Sequence, residues 1–508
     1  MPSLKYNIIA NYIGRAWTSI LGLLFIPIYL KFLGIEAYGL VGFYMALSSI
    51  IGIFDLGIGG TMNRELARLA AKDGFAGEQR DVVRTLEIIY WGLAVFAGGA
   101  VFLLAPCISH SWIKAQNLDS ASILKAVQLM GIAIALQFPM SLYQGGLMGL
   151  QRQVLVNVIL IVTGTLRSLG AILILWLVSP TIEAFLAWQV VASIIGSVAF
   201  FVALWLSLPK HRGTARFRGA ILVGVWKYAA AISANALVGI VLTQLDKVVL
   251  SKMLSLEMFG YYSLAAMVGS AIWMIILPFN NAIFPRFVQL HEAAQTDELR
   301  LFFHRASQFL SLVLFPVCAL IIFFSREILS LWLHDPTVVR QCHLIVSLLA
   351  FGTMLNGIAS VPGYSAAAFG WPQLVTYTNL IQAVAIIPLI VGLVGYWRGV
   401  GAGLAWVVLN STYVIFMVPA YFRRYLRGEA GAWYFRDIAL PAATAFAICL
   451  VSWMLLPEMQ SRWANASWLV ATGAIALCAT GLSLPHIRDL LNRWSGNLGG
   501  HASSTFVN

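Results

Sequence analysis

Charged residues are scarce in this chain. Asp, Glu, Lys and Arg make up 10% of its 508 residues, whereas 60% are apolar and the mean hydropathy is +0.84. A soluble domain carries about 25% charged residues. The shortage of charge excludes a soluble globular protein and predicts an all-α polytopic membrane protein.

Motifs that mark several enzyme classes are also missing. The sequence contains no GxxxxGK[ST] loop, no HExxH and no DxD pair, and its five cysteines are odd in number and scattered. These patterns would serve phosphate binding, catalytic zinc and metal-dependent sugar-nucleotide chemistry. The predicted outer loops are too short to form a catalytic domain. We therefore expect no enzyme, no catalytic residues, no metal site and no cofactor.

The sequence instead contains many long runs of apolar residues. About twenty apolar residues in a helix cross a hydrocarbon core of roughly 30 Å. The sequence predicts fourteen such helices, near residues 8–30, 38–60, 87–109, 123–145, 156–178, 183–207, 226–250, 259–282, 306–325, 344–368, 375–396, 400–420, 438–456 and 466–484.

One segment occurs twice. Lys31 to Gly39 reads KFLGIEAYG, and Lys252 to Gly260 reads KMLSLEMFG, at an offset of 221 residues. A period this long is typical of a duplicated multi-helix lobe rather than of a solenoid. Because each repeat holds an even number of spans, both lobes enter the membrane in the same orientation. This predicts two six-helix lobes in a parallel pseudo-two-fold repeat, plus two C-terminal helices.

The predicted domains follow from these spans. They are an N-terminal six-helix lobe (1–208), a cytoplasmic basic linker (209–225), a C-terminal six-helix lobe (226–422), two additional transmembrane helices (423–485) and a cytoplasmic tail (486–508).

Basic residues are unevenly distributed among the loops. With both termini inside, the inner segments carry twenty Lys and Arg residues and the outer segments carry eight. The positive-inside rule then favours cytoplasmic termini. The same bias accounts for most of the net charge of +12 without nucleic acid, because basic inner loops face anionic lipid headgroups.

Charges inside the spans are the candidate functional residues, since each costs about 2.5 to 3.5 kcal/mol at mid-bilayer. Arg167 lies near the centre of the fifth span, and Arg15 lies in the first span on a helical face with Asn7, Asn11 and Thr18. We expect both arginines to line a cavity. The alternatives are a structural partner for Arg167 and snorkelling to the headgroups for Arg15.

The seventh span carries a second polar face. Asn235, Thr243 and Asp246 recur at spacings of eight and three, and Lys247 follows Asp246. Adjacent helical residues project about 100° apart, which places Asp246 and Lys247 on different faces. Asp55 lies near the inner end of the second span, where pairing with the following basic loop is the alternative to a functional role.

Two stretches resemble a known family. The opening NIIANYIGRAWTSILGLLFIPIYLKFLGIEAYGLVGFY with FDLGIGGTMNRELAR, and QLDKVVLSKMLSLEMFGYYSLAA in the second half, resemble polysaccharide transporters of the multidrug/oligosaccharidyl-lipid/polysaccharide exporter superfamily. The resemblance implies two six-helix lobes forming a V around a central cavity, in a bacterial inner membrane. It further implies transport of undecaprenyl-pyrophosphate-linked oligosaccharides to the outer leaflet, with a polysaccharide polymerase or chain-length regulator as a partner to consider.

On that basis the polar residues receive roles. Three cations, Arg15, Arg167 and Lys247, would hold the pyrophosphate. Three amides, Asn11, Asn235 and Gln244, would contact sugar hydroxyls. Asp246 or Asp55 would couple transport to H⁺ or Na⁺.

Two other classes of function stay open. A drug or metabolite exporter of the same fold should favour acidic residues in its cavity, whereas the deep charges here are mainly basic. A membrane enzyme of glycan assembly would need a large outer loop or a carboxylate cluster. A flippase for a peptidoglycan precursor falls within the favoured class.

Overall fold

The computed structural model describes residues 14, 17, 20–55, 57–72, 74–222, 244–457 and 461–488. Within those ranges the chain is helical and contains no strand. The all-α fold class is therefore confirmed. The chain divides into two compact units, Met1–Gly260 and Tyr261–Asn508.

Seven helices of the first unit are bounded by the structure. They are α1 (Ile26–Ile51), α2 (Ile58–Ala70), α3 (Ala76–Cys107), α4 (Ser120–Gln137), α5 (Met140–Gly149), α6 (Gln153–Leu177) and α7 (Ile182–Ser207). Residues 244–253 are also helical. Helix α8 (Leu256–Ser270) continues from this unit into the second.

The second unit contains the remaining helices. They are α9 (Trp273–Glu292), α10 (Thr296–Phe323), α11 (Ser325–Trp332), α12 (Pro336–Ala368), α13 (Gln373–Thr412), α14 (Val418–Arg424), α15 (Ala430–Met454) and α16 (Arg462–Ser483).

Eleven helical segments in the described ranges are long and apolar enough to cross a membrane. One of them, Gln373–Arg424, is interrupted at Arg398, whose φ of 49° is not helical. This break falls between the predicted spans 375–396 and 400–420. Ten of the 23 residues of the first predicted span and most of the seventh lie outside the described residues, so the total of fourteen stays a prediction.

Local sequence signals explain several helix ends. The Asp119 carboxylate caps α4 by accepting a hydrogen bond from the backbone N–H of Ser122 at 3.4 Å, and hydrogen bonding to Ser122 lowers the pKa of Asp119. Thr181 caps α7 and Asp335 caps α12 in the same way. Such caps satisfy backbone donors that have no partner within the helix.

The second predicted span, 38–60, ends too late. Helix α1 stops at Ile51, a 3₁₀ turn covers Gly52–Asp55, and Gly57 with φ of 66° starts the separate helix α2. The run IGIFDLGIGG reads as one apolar stretch, but its glycines permit the turn.

The two copies of the repeated segment meet at a close crossing within the first unit. A Cβ atom on Gly39 would collide with the backbone oxygen of Leu256, and one on Gly260 would collide with the backbone oxygen of Ile35. The 221-residue offset relates Gly39 to Gly260 and Ile35 to Leu256. The crossing therefore has local pseudo-two-fold symmetry and requires glycine at both equivalent positions.

A loop after α3 forms hydrogen bonds with both segments of this crossing. The backbone oxygen of Lys114 accepts a hydrogen bond from the Leu256 N–H at 2.8 Å, and the buried Glu36 carboxylate accepts one from the Asn117 N–H at 2.9 Å. The Lys252 ammonium lies 4.6 Å from the centre of the Trp112 ring. Lys252 and Glu36 both belong to the repeated segment, so its polar positions serve this contact.

The second unit contains a buried ionic cluster that joins α10 to α15. His304 Nδ1 contacts the Asp437 carboxylate, and its Nε2 lies 3.0 Å from the Glu429 carboxylate, which also pairs with Arg300. Gln308 donates a hydrogen bond to Asp437 at 2.8 Å. Asp437 is fully buried and His304 is 5% exposed. Because each ring nitrogen faces a carboxylate, the His304 ring links Asp437 to Glu429.

Alanine at either repeat glycine should destabilise the protein. Gly39→Ala and Gly260→Ala each force a Cβ against a backbone oxygen, and overpacking of this kind costs about 1–3 kcal/mol. The control is Gly99→Ala in α3, where a Cβ would meet nothing within 4 Å, so that helix propensity alone acts. Thermal unfolding of the purified protein in detergent measures the difference. Equal melting temperatures for the three variants would contradict the close crossing.

Removal of the His304 ring should destabilise the second unit strongly. His304→Leu removes the buried ring that bridges Asp437 to Glu429 and leaves Asp437 with Gln308 and with the exposed Arg436 at 3.8 Å. Breaking a buried ion pair costs about 3–5 kcal/mol. His343→Leu in α12 is the control, because its ring bonds to carbonyl oxygens of its own helix. Detergent unfolding followed by circular dichroism should separate the two variants. If both unfold at the same point, the ionic cluster does not hold α10 to α15.

Candidate anion-binding cavity in the first unit

Arg167 is placed deep within a membrane span. It is the fifteenth residue of the 25-residue helix α6. At 1.5 Å per residue it lies about 21 Å from one end of the helix and about 15 Å from the other. Its guanidinium is thus beyond easy reach of either headgroup region, and its surroundings within the protein must satisfy it.

Packing between α6 and α7 fixes the backbone at this point. A Cβ on Gly170 would overlap the Trp188 indole, so the absence of a side chain lets α7 approach. The Trp188 N–H donates to the backbone oxygen of Arg167 at 3.0 Å. From α1, the Tyr29 hydroxyl donates to the backbone oxygen of Ser168 at 3.2 Å. Two helices, α1 and α7, therefore hold the segment of α6 that carries Arg167.

The guanidinium of Arg167 contacts neutral groups. Its Nη1 donates to Gln137 Oε1 at 3.3 Å, and its Nη2 donates to Ser193 Oγ at 3.2 Å. The same Gln137 oxygen accepts a hydrogen bond from the Tyr44 hydroxyl at 3.2 Å. Among the described residues, no carboxylate pairs with Arg167. Its positive charge is hydrogen-bonded but not neutralised.

Arg167 faces a cavity of about 310 Å³. Apart from Arg167 itself, the polar side chains of the described lining carry hydroxyls or amides: Tyr29, Tyr38, Tyr44, Ser48, Ser49, Ser168, Gln137 and Gln189. The described lining contains no Asp or Glu. A cation surrounded by neutral donors and acceptors can bind an anion that also carries hydrogen-bonding groups.

Lys247, Gln244 and Asp246 lie together but do not line this cavity. The Lys247 ammonium donates to Gln244 Oε1 at 3.2 Å and lies 4.0 Å from the nearer Asp246 oxygen. The placement of the two neighbours on different helical faces stays a prediction; the flexible lysine stem brings the Lys247 charge back toward the carboxylate.

Three predicted site residues, Asn11, Arg15 and Asn235, lie outside the described residues. Two described residues beside Arg15 contact α6. The Trp17 indole donates to Thr165 Oγ1 at 2.9 Å, and a Cβ on Gly14 would overlap the Asn157 side chain.

Asp55 binds hydroxyl groups and a backbone amide. It accepts hydrogen bonds from the Tyr90 hydroxyl, from Ser141 Oγ at 3.4 Å and from the Gly59 N–H at 3.3 Å. The alternative in which Asp55 pairs with the basic loop is wrong for the described residues, because no cation contacts its carboxylate. It stabilises the turn between α1 and α2 and does not line the Arg167 cavity.

A buried carboxylate beside another cavity of the first unit was not among the predicted site residues. Glu87, 3% exposed, pairs with Arg84 at 2.9 Å and accepts hydrogen bonds from Tyr143 at 2.8 Å and Trp205 at 3.4 Å. Glu87 and Tyr143 line a cavity of about 490 Å³. An acidic residue at the start of an apolar run was the available signal. Its aromatic partners lie more than fifty residues away along the chain and could not be read from spacing.

Comparison with known families supports the resemblance. The sequence model of the family described as polysaccharide biosynthesis protein matches residues 4–291, and the MatE model matches residues 231–391. A putative O-antigen transporter of Shigella flexneri is 21% identical over 408 residues, covering 80% of this chain and 94% of that protein. The amylovoran biosynthesis protein AmsL of Erwinia amylovora is 22% identical over 332 residues, covering 64% and 83%.

Solved structures share the fold. The lipid II flippase MurJ in an inward closed conformation superposes with a TM-score of 0.73 at 13% identity, covering 96% of this chain and 99% of that one. An inward-facing multidrug resistance MATE transporter superposes with a TM-score of 0.63 at 13% identity, covering 83% and 94%. At such low identity these likenesses concern the fold alone.

The family match covers more than half of the chain, and the curated relative named as a transporter aligns along most of its length. Together with the apolar helices, this makes the protein a multi-pass membrane transporter and not an enzyme. The chain belongs to the polysaccharide biosynthesis protein family, as a polysaccharide transporter of the multidrug/oligosaccharidyl-lipid/polysaccharide exporter superfamily.

Proposed function

We propose that the protein is a flippase that moves undecaprenyl-pyrophosphate-linked oligosaccharide repeat units from the cytoplasmic to the outer leaflet of the bacterial inner membrane. The product would serve O-antigen or exopolysaccharide assembly. The observation that carries the proposal is the un-neutralised Arg167 guanidinium facing a cavity of about 310 Å³ with no carboxylate in its described lining.

The electrostatics of the substrate match this arrangement. A lipid pyrophosphate is a compact anion, and its passage through a low-dielectric region requires fixed cations with directed donors. Arginine presents five N–H donors in a planar fork. Two of the Arg167 nitrogens contact Gln137 and Ser193, and phosphate oxygens would compete well for such donors because they are charged acceptors.

The other predicted residues extend this site. Arg15 and Lys247 would add cations to the pyrophosphate path. The amides of Asn11, Asn235 and Gln244 would contact sugar hydroxyls. Lys247 and Gln244 are hydrogen-bonded to each other and lie outside the Arg167 cavity, so they would act at another stage of the passage.

In the proposed cycle the headgroup enters from the inner leaflet, binds between the two predicted lobes and leaves outward when the lobes rock. The polyprenyl tail stays in lipid throughout. Both termini would be cytoplasmic, and a polysaccharide polymerase or chain-length regulator would receive the product. The O-antigen and amylovoran relatives support this class of substrate.

We assign the coupling of transport to an ion gradient to one of two carboxylates, Asp246 or Asp55. Asp246 is buried beside Lys247, and it is the better candidate for H⁺ or Na⁺ coupling, since a carboxylate in that setting can titrate or bind a cation. Asp55 is held by Tyr90 and Ser141 in a turn, which favours a structural role.

Export of a drug or metabolite is the second candidate, favoured by the MatE match over residues 231–391. The Arg167 cavity discriminates against cationic solutes, because like charge repels them. This alternative therefore requires an anionic or neutral solute.

Replacement of Arg167 should slow flipping. Hydrogen bonds to charged groups contribute about 1.5–3 kcal/mol, so Arg167→Ala should lower the rate by about tenfold to a hundredfold, and Arg167→Lys should retain part of it. The assay is transbilayer movement of a synthetic undecaprenyl-pyrophosphate oligosaccharide in proteoliposomes.

The matched control for that assay is Arg152→Ala, an exposed arginine that immediately precedes α6. It should flip the substrate at the wild-type rate. If well-folded Arg167→Ala protein flips the substrate as fast as the wild-type protein, the cationic-cavity mechanism is wrong. Movement of an anionic drug but of no lipid-linked glycan would favour the exporter.

Gln137→Leu should destabilise the first unit. The change removes the oxygen that accepts from both Arg167 and Tyr44, and leaving a buried donor unsatisfied costs about 1–3 kcal/mol. Gln128→Leu is the control on the same helix α4, because it lines no part of the cavity. Unfolding in detergent compares the two. A loss of stability no larger than that of the control would show that Gln137 does not position the guanidinium.

A further inference from the structure

A second charged cavity lies in the other unit, where three helices begin. It has a volume of about 830 Å³. Its charged and amide lining residues are Arg326, Glu327, His334, Arg340, Arg462 and Asn465. In the predicted topology all of them lie on the outer side of the membrane. We call this cavity the outer arginine pocket.

The helix starts bring its three arginines together. Arg326 is the second residue of α11, Arg340 is the fifth residue of α12, and Arg462 is the first residue of α16. All three side chains are exposed. The pocket therefore gathers three of the eight cations that the sequence places in outer segments.

Their charge is not neutralised by the neighbouring groups. Arg462 Nη1 donates to His334 Nε2 at 3.2 Å, and Arg340 donates to Thr337 Oγ1 at 3.4 Å. In the described part of the chain none of the three arginines forms an ion pair. With Glu327 as the one acidic lining residue described, three guanidinium groups against one carboxylate leave two positive charges in excess.

The arginines of the pocket do not hold the Glu327 carboxylate in place. One oxygen of its carboxylate is buried and has no hydrogen-bond partner among the described residues. The arginines thus do not turn inward to satisfy it, and they remain available to a ligand.

The helix ends add to the positive potential. Neither Phe324, before α11, nor Ser461, before α16, caps its helix with a side-chain hydrogen bond. Both helices therefore begin without a hydrogen bond from the side chain at the N-cap position, and helix N-termini favour anions.

We propose that the outer arginine pocket is a second anion site that binds a phosphate group, distinct from the Arg167 cavity. Arginine forks match phosphate oxygens in geometry and charge. The volume lies within the range of about 300–1,000 Å³ that is typical of ligand pockets. The phosphate belongs either to an anionic membrane phospholipid or to the pyrophosphate of the transported lipid; the second source rests on the proposed function.

The test measures binding of inorganic pyrophosphate by isothermal titration calorimetry to the full chain in phosphatidylcholine nanodiscs. All samples carry Arg167→Ala, so that the first-unit cavity does not contribute whether or not the proposed function holds. Arg326→Gln, Arg340→Gln and Arg462→Gln are then added together. Affinity should fall by about tenfold or more, since hydrogen bonds to charged groups are lost.

Two further variants keep the result interpretable. Arg423→Gln changes an exposed arginine of the same unit outside the pocket, and its affinity should stay within about twofold of the parent. Glu327→Gln removes the opposing charge and should strengthen binding, which a misfolded protein would not do. The proposal is overturned if the parent does not bind, if the triple variant binds equally, or if Arg423→Gln weakens binding as much.

The source of the phosphate is separated by native mass spectrometry. The parent and triple variant are extracted from membranes containing phosphatidylglycerol, or are loaded with undecaprenyl pyrophosphate. Loss of phosphatidylglycerol in the triple variant identifies a phospholipid site; loss of undecaprenyl pyrophosphate identifies a substrate site. If the protein does not flip the substrate but its pyrophosphate binding still depends on the three arginines, the proposed function is wrong and the anion site in the outer arginine pocket is confirmed.

Discussion

A guanidinium in the middle of a membrane span is the constraint on which the first unit depends. Such a charge costs about 2.5 to 3.5 kcal/mol on insertion scales and more where it cannot reach water. Here Gln137 of α4 and Ser193 of α7 accept its hydrogen bonds, while Trp188 and Tyr29 bind the backbone oxygens beside it. Three neighbouring helices are thereby oriented around one cation. A purely structural arginine at this depth would pair with a carboxylate. The neutral side chains around Arg167 instead leave its positive charge available to a ligand.

Close backbone contacts make that arrangement possible. Lipid tails are as apolar as leucine side chains, so helices in a membrane associate through tight packing and hydrogen bonds instead of the hydrophobic effect. Gly170 lets α7 reach Arg167, and Gly39 with Gly260 lets the repeated segments cross. At these positions the missing side chain sets how closely the backbones approach. The reciprocal contact also shows what the 221-residue repeat preserves, which is a pair of equivalent surfaces that fit each other.

The sequence predicted the fold class, the repeat and most spans, because apolar length and a fixed offset are one-dimensional signals. It also singled out Arg167, whose position within an apolar run is visible without a structure. The partners of the buried polar groups could not be predicted. His304 meets Asp437 across 133 residues, and Tyr143 meets Glu87 across 56. Helical periodicity gives the face on which such a residue lies, but only the packing of helices decides which side chain it meets. The early end of α1 was missed because Gly52 and Gly57 interrupt a run that remains apolar.

The sign of the buried charge restricts the solute more than the fold does. The same helical architecture superposes on a lipid II flippase and on a multidrug resistance transporter, and a shared fold does not determine function. What distinguishes transporters of one fold is the potential inside the cavity, since a fixed charge acts strongly where water is sparse. In the described part of this chain, the cavity beside Arg167 has a positive charge without a carboxylate, and the outer arginine pocket has two positive charges in excess. Each of these sites attracts an anion and repels a cation, because a fixed positive charge acts over the space that the solute must occupy.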